Sequence, residues 1–263
     1  MDPFILKLVL SFVVGGVWIS MTTVVSERVG SKVGGIIGGL PSTIVVGLFF
    51  IGWTQGASFV AQSTDVVPAI LGADAVFLAI CMIMLSGGLV KALAKAFVVW
   101  AALALPFVFF GAGFGISLVM LVVANICALW FLERRVKTNS HGGFKIKYKP
   151  SELLMRAVFA GSVISFAVIA SAVGGPLWGG MFAAFPAVFT STTVILSRRR
   201  GVEFTQAVAR MLLASTAVNV TVFVVVCRYA YPAYGIWYGT ALGYLASAVS
   251  AACLYSFAKK FMK

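Results

Sequence analysis

Apolar residues run in long blocks along this chain, separated by short polar or basic clusters. A helix needs about 20 apolar residues to cross a bilayer. Nine blocks reach that scale, at about 4–25, 33–53, 57–85, 90–111, 114–132, 152–172, 177–196, 203–227 and 233–257. The pattern predicts an all-α membrane protein of about nine transmembrane helices. The third block is long and holds Pro68, so its start reads as a separate interfacial piece or as part of one span. The block at 4–25 is too long for a signal-peptide core and lacks a good small-residue cleavage site, so it is expected to remain as the first span.

Composition agrees with the pattern. The chain is 61% hydrophobic and 10% charged, with a mean hydropathy of +1.06, whereas soluble domains hold about 45–50% apolar residues. A net charge of +13 raises the prospect of nucleic-acid binding. The basic residues fall between apolar blocks, however, so they read as topology signals and no nucleic-acid partner is expected. In a nine-span chain, Arg28, Lys32, Lys91, Lys95, the cluster from Arg134 to Arg156, Arg198 to Arg200 and the C-terminal lysines share one side. Only Lys7 and Arg228 flank the other side, and Arg210 lies within a span. The positive-inside rule then predicts an outside N-terminus and a cytoplasmic C-terminus in the plasma (inner) membrane. An even number of spans would break that pattern.

Glycine and proline carry a second signal. Residues 34–43 read GGIIGGLPST, and residues 179–188 read GGMFAAFPAV. A shift of 145 residues superposes them without a gap. It places Gly16 on Gly161, Ser20 on Ser165, Pro41 on Pro186 and Gly56 on Gly201. The halves hold five and four spans, so equivalent spans cross in opposite directions. The expected organisation is two inverted-topology repeats: residues 1–135 with five helices, a basic cytoplasmic linker at 136–150, and residues 151–263 with four helices. The added span of the first half is the fourth or the fifth. Proline removes a helix hydrogen bond and clashes with the preceding turn. Broken backbone at membrane depth is tolerated only where protein or a water-filled cavity receives it. Gly38, Gly39, Pro41, Ser42, Thr43 and Pro186 are therefore expected to form matched helix breaks lining a site between the halves. The plainer alternative is close helix packing on glycine faces with passive kinks.

Ionisable residues inside spans mark paths and sites by default. Asp65, Asp74, Glu203 and Arg210 lie in the third and eighth blocks, and the repeat maps Asp65 on Arg210 and Asp74 on Asn219. At about 1.5 Å per residue, Asp65 and Arg210 fall about 9 Å to opposite sides of the midplane, too far apart for an ion pair. Asp74 and Asn219 fall within about 4–5 Å of the centre on the same reckoning. The expected path runs from Asp65 at an outer vestibule, past Asp74 and Asn219, to Arg210 on the inner side with Glu203 as its partner. Asp74 is the foremost candidate for binding a substrate or coupling ion; a plain hydrogen bond to a neighbouring helix is the structural alternative. Gln62, Ser63 and Thr64 are candidate neutral contacts.

Cys81, Cys127, Cys227 and Cys253 are dispersed within apolar blocks, and His141 sits in a polar loop, so neither a metal site nor a cofactor is expected. No GxxxxGK[ST] motif occurs, which argues against an ATP-driven pump.

The stretch AAFPAVFTSTTVILSRRRGVEFTQAVAR resembles the GlpM-like family of small bacterial inner-membrane proteins, through Phe185, Pro186, Arg200, Gly201 and Glu203. The resemblance covers roughly 150–260 and is weaker in the first half, where Gln55–Gly56 and Ser58 stand at the matching positions. It implies four-span units. The whole arrangement is similar to the drug/metabolite transporter superfamily, in which inverted four-span units pair or fuse. These likenesses and the repeat imply a secondary transporter for a small polar or cationic solute, driven by alternating access and coupled to protons or cations. Such a protein is not an enzyme; its partners are the lipid bilayer and its solute, and the architecture allows a homodimer. The alternative is a non-transporting membrane subunit or assembly factor in envelope polymer or lipid metabolism. An intramembrane enzyme would need Asp65 and Asp74 together, and nine residues of unbroken helix set them on opposite faces.

Overall fold

A computed structural model describes residues 2–28, 40–136 and 149–261. Gly38, Gly39, His141 and most of the basic linker lie outside the described residues. The described chain is helical, with no strand. Its helices are α1 (Pro3–Arg28), α2 (Ser42–Gln55), α3 (Ala57–Ser63), α4 (Val67–Met84), α5 (Leu89–Phe110), α6 (Phe114–Arg135), α7 (Pro150–Gly174), α8 (Pro176–Ala183), α9 (Ala187–Arg200) and α10 (Val202–Phe261). Seven helical stretches are long and apolar enough to cross a membrane, and the protein is a membrane protein. One stretch, Val202–Leu254, runs for 53 residues, roughly 80 Å of helix against a hydrocarbon core of about 30 Å. It breaks at Gly235, whose φ of 75° and ψ of 177° are not helical. We call residues 202–234 and 236–261 its first and second limbs.

The third apolar block is not one helix. It breaks at residues 64–66, between α3 and α4. Ser63 and Thr64 there turn their hydroxyls onto the carbonyls of Phe59 (3.3 Å) and Ala61 (2.6 Å). Local bonds of this kind compete with the backbone ladder. Pro68 stands in the first turn of α4, where its missing N–H costs nothing.

Local geometry repeats at the 145-residue interval. α2 and α9 begin and end at equivalent residues. Pro41 (φ −71°, ψ 73°) and Pro186 (φ −74°, ψ 46°) precede them, and Gly56 (φ 101°) and Gly201 (φ 81°) follow them. Side chains rarely adopt these glycine conformations.

α1 and α7 show how the two halves meet. The Leu8 carbonyl accepts from Ser165 Oγ at 3.4 Å, and the Leu153 carbonyl accepts from Ser20 Oγ at 3.4 Å. Between them, a Cβ on Gly161 would lie 2.6 Å from the Phe12 carbonyl oxygen, and one on Gly16 would lie 2.9 Å from that of Ala157. Reading up α1 through 8, 12, 16 and 20 therefore reads down α7 through 165, 161, 157 and 153. The helices are antiparallel, and equivalent residues exchange partners, as across a two-fold axis. Bare glycine backbone is what lets them approach so closely.

Contacts also sort the helix ends. Lys7 donates to the Trp53 carbonyl at 2.6 Å, Arg228 donates to the Ala61 carbonyl at 2.9 Å, and Trp53 packs on Trp237. At another end, Gln206 donates to the Met82 carbonyl at 2.8 Å, and Arg199 pairs with Glu152 at 2.6 Å.

Candidate functional site

The two prolines come together. Residues 40–44, 183–186, 188 and 189 line one open cleft of about 620 Å³, its mouth included, together with α4, α6 and the first limb of α10. Before α2, the Ser42 N–H bonds the Leu40 carbonyl at 2.7 Å; before α9, the Ala187 N–H bonds the Phe185 carbonyl at 2.7 Å. Each is an inverse γ-turn centred on proline, a conformation that the ring's fixed φ favours. Each helix therefore starts at the cleft, where its first N–H groups lack an intrahelical partner. Neither start has a side-chain cap.

Asp74, on α4, is the charged residue of the cleft lining. It is buried, with 4% exposure, and its Oδ1 accepts from Trp100 Nε1 of α5 at 2.7 Å. Oδ2 has no hydrogen-bond partner among the described residues, and Asp74 lines the cleft. Trp100 in turn packs edge-on against Phe185 at 5.2 Å, and Phe97 stacks on Phe185 at 5.5 Å. A chain of contact thus links Asp74 through Trp100 to the residue before Pro186.

Asn125 of α6 joins the lining, its amide donating to the Leu121 carbonyl at 2.9 Å. Sequence reasoning missed it, although an amide in an apolar span was a usable signal. Nothing local marked Trp100, because an indole N–H gains meaning only beside its acceptor. Thr43 is also in the lining; its Oγ1 is buried without a hydrogen-bond partner.

The other expected site residues lie elsewhere. Asn219 is buried outside the cleft lining, bonded to the second limb of α10: its carbonyl accepts from Ser247 at 2.9 Å and its Oδ1 from Ser250 at 2.8 Å. Asp65 pairs with Arg228 at 3.0 Å. Asp65 Oδ1 accepts no hydrogen bond there, so the contact counts as an ion pair only. Arg210 pairs with Glu133 of α6 at 3.5 Å, correcting the expected Glu203 partner. Seven residues of helix separate Glu203 from Arg210 by about 10 Å, and Glu203 is exposed. Gln62 is exposed, and Ser63 and Thr64 spend their hydroxyls on α3 itself. Among the described residues, no group of three or more His, Cys, Asp or Glu gathers to hold a metal.

The model of one family, described as "Protein of unknown function (DUF3147)", matches residues 8–114 and again residues 153–260. The chain belongs to the DUF3147 family. No curated protein and no solved structure matches it. The two DUF3147 segments start 145 residues apart, the register of the glycine–proline pattern. α6, except for its first residue, falls between them, so the fifth apolar block is the stretch outside both segments. The cleft draws Pro41 and Asp74 from the first DUF3147 segment, Pro186 from the second, and Asn125 from the stretch between.

Proposed function

We propose that the protein is a secondary transporter that moves a small polar solute by alternating access of two inverted halves in the plasma membrane. Nine crossings account for the helices: α3 with α4 and α8 with α9 count once each, α2 counts once, and α10 counts twice. The antiparallel exchange between α1 and α7 supports inversion, because a two-fold axis perpendicular to two membrane-crossing helices lies in the membrane plane. The observation that carries the reading is the meeting of both proline-broken helix starts with Asp74 in one cleft.

Two ion pairs support alternation. Positions 65 and 210 are repeat equivalents, and each joins a salt bridge, Asp65 to Arg228 and Arg210 to Glu133. With the basic clusters cytoplasmic, the first pair gates the outer end of the path and the second the inner end. Solute bound at Asp74 bears on Trp100 and hence on Phe185 and the Pro186 hinge, coupling occupancy to the angle of α9. The likeness to the drug/metabolite transporter superfamily belongs with this reading, at the level of architecture.

A second reading, a membrane subunit without transport, draws on one observation. Asn219 also bonds its own half's following helix, as Asp74 does. In that reading Asp74 only staples α4 to α5.

The test needs no substrate. Ser42→Cys, in a chain freed of native cysteines, is labelled with a membrane-impermeant maleimide in right-side-out and inside-out vesicles. Labelling from both sides is expected, and crosslinking cysteines introduced at positions 65 and 228 is expected to confine it to the cytoplasmic side. Labelling from one side only in the absence of the crosslink refutes alternating access.

A further inference from the structure

We infer that the cleft binds a small dipolar solute, its cationic end at Asp74 and its anionic or acceptor end at the starts of α2 and α9. The inference deepens the transporter reading and rests on the same cleft.

One wall is rich in acceptors. Asp74 lines the cleft with one oxygen bonded to Trp100 and the other without a hydrogen-bond partner among the described residues, and Asn125 lines it with one amide hydrogen given to the Leu121 carbonyl. Among the described residues, no cationic side chain is part of the lining beside Asp74. The opposite character comes from the backbone. The N–H groups of Thr43 and Ile44 before the first turn of α2 closes, and of Val188 and Phe189 in α9, have no partner among the described residues. Helix starts carry about half a positive charge each. Thr43 adds a side-chain donor in the same place: it is 7% exposed, its hydroxyl has no partner, and it lines the cleft.

The two characters exclude the simpler solutes. A bare cation would satisfy Asp74 and face two positive helix starts. A bare anion would satisfy the helix starts and face Asp74. A molecule with both ends meets both characters at once.

The experiment uses the full chain in lipid nanodiscs and reads thermal unfolding against titrated probes. L-Alanine, β-alanine and glycine betaine carry both ends at different spacings; ethylamine and propionate carry one end each. At least one zwitterion is expected to raise the midpoint with an apparent Kd about tenfold or more below that of either monopolar probe, the scale of one charge-assisted hydrogen bond. Asp74→Asn, which keeps an acceptor for Trp100, and Thr43→Val are each expected to weaken that zwitterion. Equal stabilisation by ethylamine makes this a cation site and overturns the inference; equal stabilisation by propionate overturns it as an anion site. No response to any zwitterion overturns it as well. The Ser42→Cys labelling separates the two claims. One-sided labelling with intact zwitterion binding sinks transport alone, and two-sided labelling without zwitterion binding sinks only the solute class.

Discussion

The crossing of α1 and α7 makes a quantitative prediction about how the halves are joined. Replacing Gly161 with alanine puts a Cβ 2.6 Å from the Phe12 carbonyl oxygen. This is about 0.8 Å inside ordinary contact, so the helices must separate by an amount that already forfeits a large part of the surrounding dispersion contacts. Gly16→Ala meets the Ala157 oxygen at 2.9 Å and needs a smaller shift, about 0.5 Å. Overpacking of this kind costs about 1–3 kcal/mol, and in lipid no hydrophobic force between helices offsets it. Gly161→Ala is therefore expected near 2 kcal/mol, about the middle of that range, and Gly16→Ala nearer its lower end. The double variant should cost little more than Gly161→Ala, because the separation that relieves one clash relieves the other. Reversible unfolding in nanodiscs, followed by tryptophan fluorescence, measures all three. Gly115→Ala is the control: no heavy atom lies within 4 Å of its added Cβ, so helix propensity gives a neutral result or a gain of up to about 1 kcal/mol. Neutral changes at both Gly16 and Gly161, or strict additivity in the double variant, would refute the shared crossing.

Gly56→Ala and Gly201→Ala should each cost about 1–3 kcal/mol in the same assay, since both positions hold backbone conformations nearly confined to glycine; a neutral result at either contradicts the helix ends described. Trp100→Phe strips Asp74 of its hydrogen bond and should destabilise by about 1.5–3 kcal/mol, more than Asp74→Asn, which keeps an acceptor; the reverse order would remove Trp100 as the partner. Asp65→Asn breaks a partly exposed ion pair and should change stability by less than about 1 kcal/mol. It should nevertheless raise labelling of Ser42→Cys from the outer side, while Glu133→Gln raises it from the inner side; unchanged labelling in both would exclude the pairs as gates.

What the sequence determined by itself is what lipid imposes locally. A span must be long, apolar and helical because the bilayer offers no partner for backbone groups, so the membrane class and the blocks around Leu48, Phe77 and Ile164 are legible in one dimension. A duplicated register is also written in linear order and singled out Pro41 and Pro186, while a carboxyl inside an apolar block singled out Asp74; all three line one cleft. Tertiary structure alone decided the partners. Arg210 meets Glu133 across to α6, Asp65 meets Arg228, Trp100 claims one oxygen of Asp74, and Asn219 turns away to Ser247 and Ser250. Neighbour choice between helices in lipid is set by close packing and hydrogen bonds, not by apolarity, which every span shares. The pattern of apolar positions therefore says that a helix crosses and is silent on which helix stands beside it.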